Sequence, residues 1–502
     1  MSEKQAKAEH RSRPTSQNFK DFIATGWAPR DETLPQLAES SRWAAPRRDA
    51  LSAQFAGERL VIPAGGLKVR SNDTDYVFRP HTAFAHLTGL GSDREPDAVL
   101  VLEPLPEGGH EPVLYFMPLA PRDSEEFFAD ARVGEFWVGA RPTLESMAAE
   151  IGVATQPVEN LRDALAKDAG LVPLRVVRDA DAQVSAMVDQ IRSESGLVQS
   201  VESQEEAVES DTALARALST MRMVKDDWEA DQMREACAAT ARAFEAVVAD
   251  LPEAVRRGRG ERWVEGMFGL HARHAGNGVG YDSICASGDH ANTLHWIKNT
   301  GDVRPGDLIL IDAGVEIDSL FTADVTRTLP INGRFSDAQR RVYDAVYAAQ
   351  VAGIEACRPG NKFEDVHAAA IRVIAEHLYD WGLLPDGVDV EATLDKEGQW
   401  HRRWMVHGTS HHLGLDVHDC TLALREDYME GELTPGMVLT VEPGLYFKAD
   451  DELVPDELRG IGVRIEDDIL ITADGCENLS AALPRTSTDV EAWMAKLWAA
   501  QA

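Results

Sequence analysis

The sequence predicts an α+β protein built from two domains, and three observations carry that expectation. Residues 46–192 mix short apolar runs with helical stretches. Residues 193–211 interrupt the pattern with acidic, apolar-poor chain. Residues 221–502 then alternate long amphipathic helices with strand-like runs, several of which end in a carboxylate. A chain of 502 residues has room for this plan, since domains commonly hold roughly 100–200 residues.

The elements follow in order. Residues 1–45 are polar and scattered with Pro, Ser and charge, and read as an extension. ERLVIPAG (58–65), DAVLVLEP (97–104) and PVLYFMP (112–118) read as strands of a smaller α/β domain over 46–192. The PLPEGGHEP turn joins the last two as a hairpin, and 142–151 and 159–167 read as short helices. The stretch 193–211 has six acidic residues and no basic one, so 193–220 is expected to be an acidic linker or insertion with a connecting helix.

Beyond it, Trp228, Met233, Cys237, Phe244, Val248 and Leu251 recur at helical spacing and predict one face of a long helix. Ser336 is placed to cap a second helix running to about Cys357, and a third runs from Phe363 to Trp381 before Gly382. Four strand-like runs lie among and after these helices, over 308–317, 322–331, 437–444 and 463–472.

The charge balance narrows the function. A net charge of −34 repels phosphate backbones and anionic headgroups, so neither nucleic acid nor a membrane surface is an expected partner. Five scattered cysteines, with no CxxC pair, fit reduced thiols in a cytoplasmic protein. The polar N-terminus lacks a signal-peptide core, and no run is long and apolar enough for a transmembrane helix.

The chemistry concentrates in the second portion. Asp312 ends the run LILID, Asp324 precedes VTRTL, Glu442 ends VLTVE, and Glu466 sits in VRIEDDILI. One such acid is easily a satisfied strand-edge residue. Four beside strand cores in one domain would be prohibitive to bury without cations. HGTSHHLGLDVHD (407–419) adds His407, His411, His412 and His418 around glycines. Four carboxylates with an imidazole match the charge of two divalent ions, and oxygen-rich ligation favours manganese over thiolate-held zinc. Two such ions can share a water and lower its pKa towards neutrality.

Read together, TLHWIKNT, GDLILIDAGVEIDSLFTADVTRTLPINGRFS, HGTSHHLGLDVHD, LTPGMVLTVEPGLYF and RGIGVRIEDDILIT resemble aminopeptidase P, the Xaa-Pro aminopeptidases, and their relatives the prolidases. The resemblance implies a "pita-bread" catalytic domain over 221–502, preceded by a ribonuclease-H-like α/β domain. It implies that Asp312, Asp324, His411, Glu442 and Glu466 hold two metal ions per chain, with Mn2+ favoured and Co2+ or Zn2+ accepted. Asp324 and Glu466 would bridge the pair, and Asp312 would bind through both oxygens. A hydroxide between the metals, contacted by Glu442, would attack the carbonyl before proline.

The resemblance further implies that His295, His407 and His418 sit near the scissile bond as donors. Arg464, two residues before Glu466, would share its face of a strand and pair with a ligand carboxylate. Tyr446 would line the site or pack beside it. The implied substrates are peptides with proline second, and the implied assembly is a homodimer or homotetramer in which one chain's N-terminal domain walls another's site.

Thr409 and His412 replace the Leu and Trp usual in the histidine string, and Trp296 stands for tyrosine in TLHY. These changes bear on pocket shape, and His412 is read as structural or solvent-facing. GNGVGY (276–281) lacks a phosphate-loop pattern and reads as a turn. Two alternatives remain: a prolidase restricted to Xaa-Pro dipeptides, and a non-catalytic pita-bread module that binds peptides.

Overall fold

The computed structural model describes residues 14–500, so residues 1–13 of the expected extension lie outside it. The chain divides into two compact units, with the boundary between Leu214 and Ala215.

The first unit is built on a five-stranded sheet. Arg59–Pro63, Val99–Pro104 and His110–Phe116 form its antiparallel centre, and the last two are the expected hairpin, with Val99 opposite Tyr115. Leu174–Val176 and Ala154–Pro157 join its edges in parallel. The central strands are buried on both faces, which is why they read as unbroken apolar runs. Val61, Val99 and Val101 face Leu161, Leu165, Val188 and Ile191 of the covering helices. Order begins ahead of the expected boundary at 46, because the helix Glu39–Gln54 buries Ala44 and Leu51 and sends Arg48 to the Leu87 carbonyl.

The stretch expected as an acidic linker is largely helical, with Val201–Met221 forming one helix. Asp211 gives the physical reason that part of it belongs to the first unit. Its buried carboxylate accepts from Arg192 at 2.7 Å, from Arg178 at 2.7 Å and from the Val176 amide at 2.8 Å.

In the second unit, the predicted helices appear at Asp227–Arg257, Asp337–Ala356 and Phe363–Asp380. The first two start with reciprocal capping boxes, Asp226 with Glu229 and Ser336 with Gln339. These helices cover small antiparallel sheets. Leu308–Ala313 pairs with both Val325–Pro330 and Ile284–Ser287. Val438–Val441 pairs with Asp467–Ile471, and Gly444–Phe447 with Ile461–Arg464.

Two runs expected as continuous strands, 437–444 and 463–472, are therefore each split. The chain changes partners at the breaks. Pro443, lacking an N–H, stops the first ladder, and Glu466 turns its own N–H to the Thr326 carbonyl. A third run, 308–317, breaks at Gly314, where a Cβ would lie 1.6 Å from the Ala323 carbonyl oxygen. Only glycine permits that approach. No described helix is long and apolar enough to cross a membrane.

Candidate metal centre

The breaks in the strands aim carboxylates into one cleft. Asp312 lies opposite Thr326 in its hairpin, so Asp324, two residues earlier on the partner side, is its diagonal neighbour on the same face. The spacing of 12 residues thus becomes proximity. Glu442 follows the Val438–Val441 strand, and Glu466 occupies the gap between Ile461–Arg464 and Asp467–Ile471. His411 is set beside Glu442 by backbone bonds. The Thr440 amide donates to the His411 carbonyl at 2.9 Å, and the Glu442 amide to the Thr409 carbonyl at 2.8 Å.

The five predicted ligands meet here. Donor atoms of Asp324, His411 and Glu466 lie within 4.8 Å of one another. His411 Nε2 is 3.3 Å from Asp324 and 3.7 Å from Glu442. Its Nδ1 lies 3.2 Å from the His412 carbonyl, which holds a proton there and turns Nε2 towards the acids, where it can ligate a cation once its own proton leaves. All five line a cleft of about 510 Å³, together with His295, His407, His418, Arg464 and Tyr281.

Electrostatics make the case for a cation. Burial, only partly opposed by His411 and Arg464, raises Glu442 to about 7. Burial and the neighbouring acids push Glu466 well above the carboxylate range. Burial also works against a charged His411, but its bond to Asp324 and the Glu442 charge outweigh it and raise the ring to about 9. Those same contacts with His411, helped by Tyr281, hold Asp324 below its ordinary value despite burial. Without added positive charge, these acids cannot all ionise together. An oxygen-rich set with one imidazole and no thiolate fits hard or borderline divalent ions.

Arg464 organises the back of the site. Its guanidinium pairs with Asp312, donates to Tyr446 at 3.1 Å and reaches Thr326 at 3.2 Å. The expectation that Arg464 and Glu466 share a face of one strand needs correction, because the strand ends at Arg464. The pairing with a carboxylate arises instead from the end of that strand, opposite the Asp312 hairpin. Thr326 in turn donates to Glu466 at 2.6 Å. Arg464→Met is expected to destabilise the metal-free protein by about 3–5 kcal/mol, as for other buried pairs deprived of one partner. Chemical unfolding of the stripped protein checks this.

The histidines separate into roles. His407 engages Tyr446 through Nε2 at 2.8 Å and the Gly408 carbonyl through Nδ1 at 2.6 Å, so both ring nitrogens are committed. Burial keeps it neutral, down at about 3. His418 stands edge-on to His411 at 4.4 Å, and partial desolvation with the neighbouring His411 lowers its pKa, although its side chain still reaches solvent. His412 is not solvent-facing. It is fully buried, stacked on Phe363 at 4.9 Å and against Tyr428 at 4.7 Å, which is the structural alternative.

Two contributors escaped the sequence reading. Tyr281, at the end of the supposed glycine turn, donates towards both Asp312, at 2.6 Å, and Asp324. Pairing of Gly278–Val279 with Val315–Glu316 brings it there. Asp468, buried behind the site, accepts the Asp324 amide at 3.0 Å and faces the Cys237 thiol at 3.2 Å.

Comparison with known proteins adds kinship. The family model "Metallopeptidase family M24" matches residues 231–473, and "Aminopeptidase P, N-terminal domain" matches residues 44–172. Xaa-Pro aminopeptidase 1 of Streptomyces coelicolor is 50% identical over 485 residues, covering 96% of this chain and 93% of its own. The Xaa-Pro aminopeptidase of Escherichia coli is 33% identical, covering 89% and 96%. Among solved structures, Escherichia coli aminopeptidase P with the inhibitor Pro-Leu superposes with a TM-score of 0.78 at 31% identity, covering 92% and 99%.

Proposed function

The chain belongs to metallopeptidase family M24 and carries the aminopeptidase P N-terminal domain, and from that premise we propose that it is a Xaa-Pro aminopeptidase, removing an N-terminal residue that precedes proline. The observation that carries this reading is the convergence of Asp312, Asp324, His411, Glu442 and Glu466 on one cleft. It is a metal-dependent hydrolase, and we assign two ions per chain, manganese by preference, to those five residues.

Bound there, the ions would supply Lewis acidity that lowers the pKa of water. The chain's own residues do the rest. Glu442, beside the attacking water, takes up its proton and returns it to the departing proline nitrogen. That nitrogen leaves as a secondary amine and needs the proton. His295 and His418 line the cleft as donors to the carbonyl oxygen, where negative charge develops. His407 acts through Tyr446, which hands its bond on to Arg464 and so to Asp312.

A peptide panel tests the substrate class. Turnover of Xaa-Pro-Pro tripeptides, with none when alanine replaces the second residue, is the expected result. Cleavage confined to Xaa-Pro dipeptides would make it a prolidase, and absence of any cleavage with metals loaded would favour a binding module.

The protonation pattern predicts how loading depends on pH. In the metal-free site, Glu442 keeps a proton below about 7 and His411 below about 9. An entering cation must displace both, so affinity should climb by about tenfold or more per unit as pH rises from roughly 5 to 7. Calorimetry with Mn2+ in buffers of differing ionisation heat measures this, and pH-independent affinity would contradict it.

We also place the protein in the cytoplasm, as a homo-oligomer. All five cysteines are free. On the first unit, Trp27, Phe136 and Trp137 are exposed, and Trp27 and Phe136 touch edge-to-face, which supports an apolar association surface. Light scattering at micromolar concentration is expected to give a dimer or tetramer, and a fully active monomer would refute the assembly.

A further inference from the structure

One buried acid outside the cleft has every acceptor position taken by a single loop. Glu261, in the helix Gly260–Ala275, is fully buried. Its Oε1 accepts the Ser287 amide at 2.8 Å and faces His290 Nδ1 at 2.7 Å. Its Oε2 accepts the Trp296 indole N–H at 2.9 Å and the Gly301 amide at 2.5 Å. The Glu261 amide itself donates to the Gly301 carbonyl at 3.2 Å. A carboxylate has about four acceptor positions, and four donors fill them.

The loop is two-sided. Leu294, His295 and Ile297 line the cleft, whereas Trp296 between them is bonded to Glu261. The indole also stacks on His290, with ring centres 3.9 Å apart, and packs on Ile284, Ala286, Ala291 and Leu310. The packing leaves little room, since a Cβ on Gly301 would lie 2.7 Å from the Glu261 carboxylate and 2.8 Å from the His290 ring. Trp296 is also where the family string carries tyrosine, so this clamp accompanies a departure from the usual sequence.

We infer that Glu261 is a positioning residue. Through Trp296 and His290 it holds the 287–301 loop so that His295 faces the scissile bond. The inference rests on the reading of His295 as a donor to the substrate. Trp296→Phe keeps the ring and its apolar contacts but removes the N–H, freeing half of the clamp on Oε2. Misplacing a reacting group by about 1 Å can cost about 10²-fold, and losing one of the four bonds should cost less.

A double-mutant cycle tests it, using the metal-loaded full chain and an Xaa-Pro-Pro substrate. Trp296→Phe should lower kcat about tenfold, with KM and metal content per chain unchanged. In a His295→Ala background the same change should cost less than about twofold, because the group being positioned is gone. Glu261→Gln, which turns an amide N–H towards the loop's donors, should behave alike with a larger loss.

Equal loss in both backgrounds would mark a merely structural role and overturn the inference, as would wild-type kcat for Trp296→Phe. Should Glu261→Gln not fold, the tryptophan cycle still decides. Wild-type turnover of His295→Ala alone would instead remove the role assigned to His295, and this inference with it.

Discussion

Asp324→Asn is expected to lower turnover by more than about 10³-fold, beyond the roughly 10²–10³-fold typical of losing one transition-state donor. Asp324 is buried at the meeting point of the site, beside His411 and within ligand distance of Glu466. Asparagine keeps its shape and an oxygen for the Tyr281 hydroxyl, and the Asp324 backbone stays pinned by Asp468. What disappears is one negative charge of the proposed two-cation site. Stripped of metal, the variant should therefore unfold within a few degrees of stripped wild type, and the loaded variant should retain less metal after dialysis. Elemental analysis, kinetics and thermal unfolding on one preparation check all three. Wild-type activity with full metal content would remove Asp324 from the ligand set.

His418→Ala and His295→Ala should each lower kcat by about 10²–10³-fold without loss of metal. His418 stands against the ring of His411 yet is not one of the converging donors, and partial desolvation together with the neighbouring His411 lowers its pKa. A neutral imidazole can offer an N–H to an oxyanion without repelling nearby cations. If metal content falls in step with kcat, the two residues are ligands and the five-residue set is wrong.

Much of this was legible in the sequence because the chemistry is carried by short strings. LILID and VTRTL set Asp312 and Asp324 beside strand cores, and Ser336 marks the start of its helix. The central strands of the first unit were visible as unbroken apolar runs. What stayed hidden depends on contacts distant in sequence. The apolar pattern runs straight through Glu442-Pro443 and Ile465-Glu466, so the change of strand partner there leaves little trace in hydrophobicity. Tyr281 reaches the acids only because Gly278–Val279 pairs with Val315–Glu316. His412 looks like one more polar imidazole, and its burial against Phe363 and Tyr428 is a property of packing. Asp211 belongs to an acidic stretch that composition assigns to a linker, yet two arginines hold it in the first unit.

The proposed function requires that five residues of one cleft hold two divalent ions for the hydrolysis of Xaa-Pro bonds. Stripping the protein with a chelator and titrating Mn2+ back, with bound metal and Xaa-Pro-Pro turnover followed together, tests it most directly. The expected result is no turnover in the stripped protein and a plateau at two ions per chain. Turnover that survives stripping, or full turnover at a plateau of one ion per chain, would contradict it.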